Sequence, residues 1–351
     1  MLPIGRRCPA NSDAPELAGG SMTELDIIGT KGRQMYPGHR SPPLMPQTAD
    51  RNQSCLLQSN VDAVRQHVLD QSAVLFRGFV VSEFADCFIG AMAVGCLECR
   101  YASTRRTKIS NRIFTATKYR FAQEVSLYKD NAYQRKSPLL IAFCYLEPTT
   151  EGIVTPLAKM RAVTEAIGTP ILGEFDSRSV QHVRHNRPHI DFPWQKVLRT
   201  EYQCCVEEFC TENDIAIGWL SGGVFRPQVS QRVAYHPANS GGLFFTEAHL
   251  FQISILGNSA ARSMISVFAN ERLPREAFFG DGGSISAKDL TAVRAGHTRA
   301  SLKFCSRSRD VLLLNNEQFA CACRSLYGPG ALLASLLNPR RSQEALACLV
   351  S

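Results

Sequence analysis

The chain has no run of about 18 apolar residues, so it offers no candidate membrane-spanning helix. Its first twenty residues, MLPIGRRCPANSDAPELAGG, lack the apolar stretch of a secretory signal. Blocks of like charge are missing too. With 39 Lys and Arg against 31 Asp and Glu, the net charge of +8 is mild for 351 residues, and the basic side chains are scattered. The one local concentration, RYASTRRTKISNR over 100–112, has too little aromatic interleaving to read as a nucleic-acid surface. The 13 cysteines lack zinc-ligand spacing, because the Cys96-x-x-Cys99 pair has no second pair to complete it. No repeat or low-complexity tract occurs. These absences argue against a nucleic-acid, membrane or disulfide-framework protein, and the expectation is a cytoplasmic chain with reduced thiols.

What is present is ordinary globular material, 44% apolar and 20% charged, enough for a substantial core. Residues 1–52 are rich in Pro, Gly, Ser and Arg without periodicity, and are expected to be a flexible arm ahead of one folded domain over 53–351. Asn60 is placed to cap a helix VDAVRQHVLDQ, with Val61, Val64 and Val68 on one face. Residues 73–79 read as a buried strand and 82–96 as an amphipathic helix. Residues 138–146 read as a second buried strand, and Thr155-Pro156 as the start of a helix, with Thr155 a candidate cap. Further helices are expected over EYQCCVEEFCTEN and from Ser286, and final strands over 302–305 and 310–316. Strands alternating with helices would by themselves suggest an α/β protein.

Several stretches point to a particular family. EPTTEGIVTPLAKMRAV (147–163) is similar to a PA-x-x-GG-x-TP-[IL]-A-D-x-R-x-V signature, and Ala73 to Phe79 to a G-x-[IVL]-L-F-R-G-F strand. Val180 to Arg184 resembles Y-x-R-N-Y, and PWQKVLRT resembles W-x-x-x-F-x-T. LFFTEAHLF (243–251) resembles V-W-F-N-Q-x-H-L-F, and DVLLLNN (310–316) resembles G-D-[VL]-L-L-L-D-N. In order and spacing these resemble the taurine dioxygenase-like (TauD/TfdA) family of Fe(II)/2-oxoglutarate oxygenases, and within it the SyrP-like group, over about residues 60–337. The resemblance implies a mainly β fold with flanking helices, a double-stranded β-helix (jelly-roll, clavaminate synthase-like) core. It also implies Fe(II) and 2-oxoglutarate as cofactors, and as substrate a small carboxylate or a carrier-tethered aminoacyl group, with homo-oligomerisation open.

The ligand motifs depart from the family. Its H-x-[DE]-x-S reads Ala122-Gln123-Glu124-Val125-Ser126 here, leaving Glu124 as the remnant metal ligand. Its D-N-x-x-x-x-H-G-R reads Asn315 to Arg324, so Cys321 stands at the second histidine, or Cys323 if the register shifts by two. Its G-P-R-R reads Gly328-Pro329-Gly330-Ala331, without the arginine that pairs with the keto-acid. Thr155 remains as the position implied to contact the cofactor carboxylate. A carboxylate plus a thiolate is a poor set for labile ferrous iron, and an unpaired buried carboxylate is costly.

Three readings therefore stand. The chain is a pseudo-oxygenase that has lost both cofactors, a non-oxidative enzyme with Glu124 as acid/base and Cys321 nearby, or a hydroxylase whose ligands lie elsewhere. The dense His182, His185 and His189 are expected in a solvated or hydrogen-bonded loop rather than on a metal. His236 and His249 are read as structural. Arg105 and Arg106 are read as surface charge, and Cys204, Cys205 and Cys210 as incidental thiols on a helix.

Overall fold

The computed structural model describes residues 26–29, 32–34, 61–71, 73–77, 107–110, 112–115, 127–132, 134, 136–146, 153–186, 193–220, 224–231, 235–236, 243–244, 273, 275–306, 308, 310–322 and 332–341. In chain order the described elements begin with β1 (Asp26–Gly29), β2 (Gly32–Gln34), α1 (Val61–Gln71), β3 (Ala73–Arg77), β4 (Phe114–Thr115), β5 (Lys136–Tyr145) and β6 (Ile153–Lys159). Next come α2 (Met160–Ile167), α3 (Thr169–Arg178), β7 (Val180–Arg184), α4 (Trp194–Leu198), α5 (Gln203–Glu212), β8 (Ala216–Leu220), β9 (Val224–Gln231), β10 (Tyr235–His236) and β11 (Leu243–Phe244). The last are β12 (Arg275–Phe279), α6 (Ala287–Arg299), β13 (Ser301–Ser306), β14 (Val311–Asn315), β15 (Phe319–Cys321) and β16 (Leu332–Arg341).

Two antiparallel sheets make the centre. The larger has the order β2-β1-β3-β14-β5-β16-β4 and the smaller β13-β6-β15. The chain passes back and forth between them: β5 lies in the large sheet, β6 and β13 in the small, β14 in the large, β15 in the small and β16 in the large. That alternation is a jelly roll. The fold is mainly β with flanking helices, and the α/β impression left by counting elements is corrected by the antiparallel pairing. Only the β1–β3 pair is parallel among these two sheets' ladders. It brings Asp26–Gly29, from within the stretch expected to be a flexible arm, into register with Val74 to Arg77.

The strand faces follow from the period of two. On β5, Ile141, Phe143 and Tyr145 join a layer with Leu75, Leu312, Leu314, Leu332, Leu336, Leu157, Phe319 and Cys321. That layer fills the space between the sheets. The alternate residues Leu140, Ala142 and Cys144, with Val311, Leu313, Leu333 and Leu337, face the other way and are covered by Val64 and Val68 of α1. On the small sheet, Ala158 and Ala320 turn outward into a third cluster with α2, α6 and a four-stranded sheet β12-β7-β9-β8. Gly296 is where α6 crosses α2, since a Cβ there would lie 2.7 Å from the Ile167 side chain. The chain's two tryptophans, Trp194 and Trp219, meet edge to face at 5.3 Å in this region.

Sequence signals set several of these elements. The helix expected from Ser286 is α6, and Ser286 caps it by accepting a hydrogen bond from Asp289 N at 3.1 Å. Helix α1 covers 61–71 and presents Val61, Val64 and Val68 to the sheet. Thr155-Pro156 does not start a helix. It lies within β6, opposite Phe304 and Lys303 of β13, and the helix begins at Met160 behind Lys159, which makes no side-chain cap. The first helical N–H, that of Met160, donates instead to Gln318 O at 2.8 Å. Two strands beyond those expected, β15 and β16, close the jelly roll.

Leu312→Ala would open a cavity in the middle of the inter-sheet layer. It is expected to lower stability by about 2–5 kcal/mol in urea unfolding followed by tryptophan fluorescence. A loss under about 1 kcal/mol would mean that the two sheets do not share one packed layer.

Candidate functional site

Of the family-ligand positions Cys321 is described, and it lies on β15. Its three residues pair with β6 as Phe319↔Lys159, Ala320↔Ala158 and Cys321↔Leu157. On its other side Cys321 forms an antiparallel bridge with Tyr128, with Cys321 N donating to Tyr128 O at 2.9 Å and Tyr128 N donating to Cys321 O at 3.1 Å. Tyr128 lies four residues after Glu124 in sequence. The segment that leaves the expected acidic ligand therefore runs beside the strand that carries the expected second ligand. Ala122, Glu124, Cys323, His189, His249, Arg105, Arg106, Cys96 and Cys99 lie outside the described residues, as do Gly328 to Ala331.

Cys321 is 2% exposed and its side chain joins the apolar inter-sheet layer. That is the direction a ligand at this position would take, into the jelly-roll interior. Its neighbours there include Leu157, Phe319 and Leu314, which offer a metal nothing. Thr155 stands on β6 two residues from Leu157 and opposite Phe304 in backbone register. Among the described residues, no group of three His, Cys, Asp or Glu side chains could hold a metal ion. A thiol amid hydrocarbon does not fit labile ferrous iron, which takes imidazole and carboxylate donors.

A residue the sequence reading passed over holds this region in place. The Asn316 side chain is buried in the turn between β14 and β15. Its Oδ1 accepts from Asp130 N at 2.9 Å, and its Nδ2 donates to Asp130 O at 3.0 Å and to Pro138 O at 2.9 Å. Asn316 N also donates to Leu139 O at 2.8 Å. One amide thereby ties the Lys129-Asp130-Asn131 turn to the start of β5, and Asn131 takes a left-handed φ of 57° to make that turn. The family pattern D-N carried the signal, which was read only as a signpost to the missing histidine. Asn315, at the aspartate position, accepts from Glu317 N at 2.9 Å.

A second polar concentration lies on the four-stranded sheet. His182, Arg184, His185 and Asn186 are all buried. His182 is therefore no loop residue: it sits on β7 opposite Ala277 of β12 and Val229 of β9. Loss of water pushes its pKa down to about 3, so its ring is neutral near pH 7. His185, just past the strand, fits the hydrogen-bonded reading through Nδ1 at 2.8 Å from Leu273 O. His297 on α6 pairs Nδ1 with Val293 O at 2.9 Å, and burial lowers it to about 4. His236 lies in the short strand β10, opposite Leu243. Glu276, half-buried on β12 opposite Val183, has its pKa raised to about 7 by desolvation, against a hydrogen bond from Ala277 N that lowers it. No motif marked it. Cys204 and Cys205 are exposed on α5, while Cys210 is buried and pushed up to about 12, chiefly by desolvation.

The family model "Taurine catabolism dioxygenase TauD, TfdA family" matches residues 41–331. The dapdiamide synthesis protein DdaC of Enterobacter agglomerans is 28% identical over 274 residues, covering 77% of this chain and 83% of that protein. A taurine dioxygenase from Burkholderia xenovorans is 13% identical with a TM-score of 0.42, covering 81% of this chain and 83% of the other. The PvcB protein from Pseudomonas aeruginosa is 12% identical with a TM-score of 0.44, covering 84% of each chain. Among the described residues, no helix is long and apolar enough to cross a membrane.

The raised pKa of Glu276 gives a pH test. Its unfolded value is 4.5 and its folded value about 7, so the folded state resists ionising it, and stability is lost as pH rises through that window. Glu276→Gln removes this loss. The variant should melt higher than the parent above pH 7, and the two melting temperatures should converge near pH 4.5. Equal melting temperatures throughout would place the carboxylate in water.

Proposed function

The chain belongs to the taurine catabolism dioxygenase TauD, TfdA family, and from that premise we propose that it is a divergent member that no longer runs iron-dependent oxygen chemistry. On this reading it keeps the family's jelly-roll interior as a binding site. Its ligand is a small carboxylate or a carrier-tethered aminoacyl group, and its setting is a natural-product pathway. The observation that carries the reading is Cys321: at the place of a ligand histidine, a thiol is packed among Leu157, Phe319 and Leu314 on an interior-facing strand. The sequence adds Ala122 at the other histidine position and no arginine in Gly328 to Ala331. The pathway assignment is supported by the relative named for dapdiamide synthesis.

These changes act on different parts of the usual reaction. Without two imidazoles the metal has no facial triad. Without the arginine, a buried keto-acid carboxylate has lost a bidentate partner, typically worth several kcal/mol. No step through iron or 2-oxoglutarate is derived, because the residues do not fit them. Shape and hydrogen bonding remain as the means of recognition.

The test is an anaerobic titration of the full chain with Fe(II) and 2-oxoglutarate, reading the metal-to-ligand charge-transfer band and bound iron. Neither should rise above a heat-unfolded control. A band with stoichiometric iron would overturn the proposal and restore the hydroxylase reading. Glu124→Ala separates binding from acid/base chemistry: as a remnant it should be dispensable for biological activity, whereas in a non-oxidative enzyme its loss abolishes activity without any metal dependence.

A further inference from the structure

On the face of the large sheet opposite the jelly-roll interior, α1 packs over the outer leucines. Helix α1 covers β3 and β14 there but stops short of the far end of β5 and β16. A cleft of about 410 Å³ remains, lined by Arg65 and Leu69 from α1, Leu139 and Leu140 from β5, and Asn338, Pro339 and Arg340 from β16. Arg65 and Leu69 are four residues apart, so they project from the same flank of the helix and form one wall. The leucines of β5 form the floor.

The opposite wall is formed where the β5–β16 ladder breaks. The register runs Leu337↔Leu140 and resumes at Pro339↔Pro138, omitting the Leu139–Asn338 position between them. Two prolines face each other with no N–H to donate. Asn338 takes a φ of 54°, the left-handed region, which is uncommon for a residue other than glycine. Backbone of this kind persists where its surroundings impose it, and it is concentrated at ligand sites. Beyond it the ladder continues through Arg340↔Ser137 and Arg341↔Lys136, and Pro339 and Arg340 line the cleft.

Among the described residues the lining has one sign of charge. The Arg340 side chain makes no hydrogen bond or ion pair among the described residues. Arg65 pairs with Asp62 at 3.0 Å, and that carboxylate is 90% exposed. Arg65 is engaged beyond this pair as well, so what it brings to the wall is positive charge. Three leucines and a proline ring supply the apolar surface. The volume lies in the range of about 300–1,000 Å³ that takes small ligands.

We propose that this cleft binds a small monocarboxylate with an apolar tail, its carboxylate held by Arg340 and its tail lying along Leu69, Leu139 and Leu140. Guanidinium groups match a carboxylate through paired hydrogen bonds, and hydrocarbon on the floor excludes water around them. The site is independent of the interior reading above, since it lies on the other side of the large sheet and uses none of Cys321, Thr155 or Glu124.

The experiment is isothermal titration of the full-length chain with octanoate, with octanol as the neutral control. Octanoate should bind, and octanol at least about ten-fold more weakly, as expected for loss of a charge-assisted hydrogen bond. Arg340→Gln should weaken octanoate binding by a similar factor while leaving the melting temperature unchanged. Leu69→Trp, which fills the cleft, should weaken octanoate and octanol alike. No octanoate binding, equal affinity for octanol, or binding unaffected by Arg340→Gln would each overturn the proposal. Since the anaerobic iron titration does not involve this cleft, either result stands without the other.

Discussion

Burial of β5 on both of its faces is the constraint from which the rest of the architecture follows. A ten-residue strand in the middle of a sheet must satisfy its backbone on both edges and its side chains on both faces. Its edges are taken by β14 and β16, and its faces by the inter-sheet layer and by α1 with the outer leucines. With every alternate residue committed, a one-residue slip would exchange Ile141 and Phe143 for Ala142 and Cys144 in the interior and leave holes there. Asn316 fixes the starting point of that register, bonding Leu139 O and Pro138 O at the mouth of the strand. The same amide fixes the 129–131 turn, so the strand beside Cys321 is positioned by the element that positions β5.

This coupling bears on why the family's ligands change together. A histidine facing the interior at position 321 would bring two ring nitrogens into a layer otherwise made of Leu, Ile and Phe. With a metal and an outer partner both nitrogens are satisfied. Without the metal, an unmet polar group there costs about 1–3 kcal/mol. Cysteine behaves as a small hydrophobe and avoids that cost. Once iron is no longer held, each remaining imidazole is a liability to folding, and replacing it is favourable in its own right. On the proposed reading, replacement of one histidine by Ala122 and the other by Cys321 is thus one event in physical terms. A fold under selection for stability alone would arrive at the same pair.

What could be read in the sequence was what local chemistry decides. The valines of α1 at helical spacing, the helix from Ser286 and the apolar run of β5 each carry their own signal within a few residues, and the structure has them where expected. Thr155-Pro156 shows where local reading fails. Threonine before proline imitates a helix start, but pairing along the whole length of β13 outweighs a single cap and keeps the dipeptide extended. Strand β15 is three residues long, too short to show a period, and exists because β6 and Tyr128 flank it. His182 was obscured by its own neighbourhood: HVRHNRPH looks solvated by composition, yet β7 lies between β12 and β9 and its residues are buried whatever their polarity. At the candidate site the residues themselves were legible. Their surroundings were not, because the Asn316 clamp joins positions nearly two hundred residues apart in sequence.

The distribution of buried polarity separates structure from chemistry in this chain. A group poised for acid/base work needs both a shifted pKa and access to a substrate. His182 has the shift without the access, since it is buried between two strands. His297 is turned onto its own helix through Val293 O. In both, depression of the pKa below the ordinary value of 6.5 means that stability falls as pH drops below that value, which is a folding effect. Glu276 is half-buried and its penalty grows in the opposite direction, as pH rises. These three groups set opposing slopes across mildly acidic pH and favour an optimum between them. They lie in the helical layer and the four-stranded sheet, whereas the interior beside Cys321 is hydrocarbon among the described residues. The polarity that remains buried in those residues therefore holds elements together.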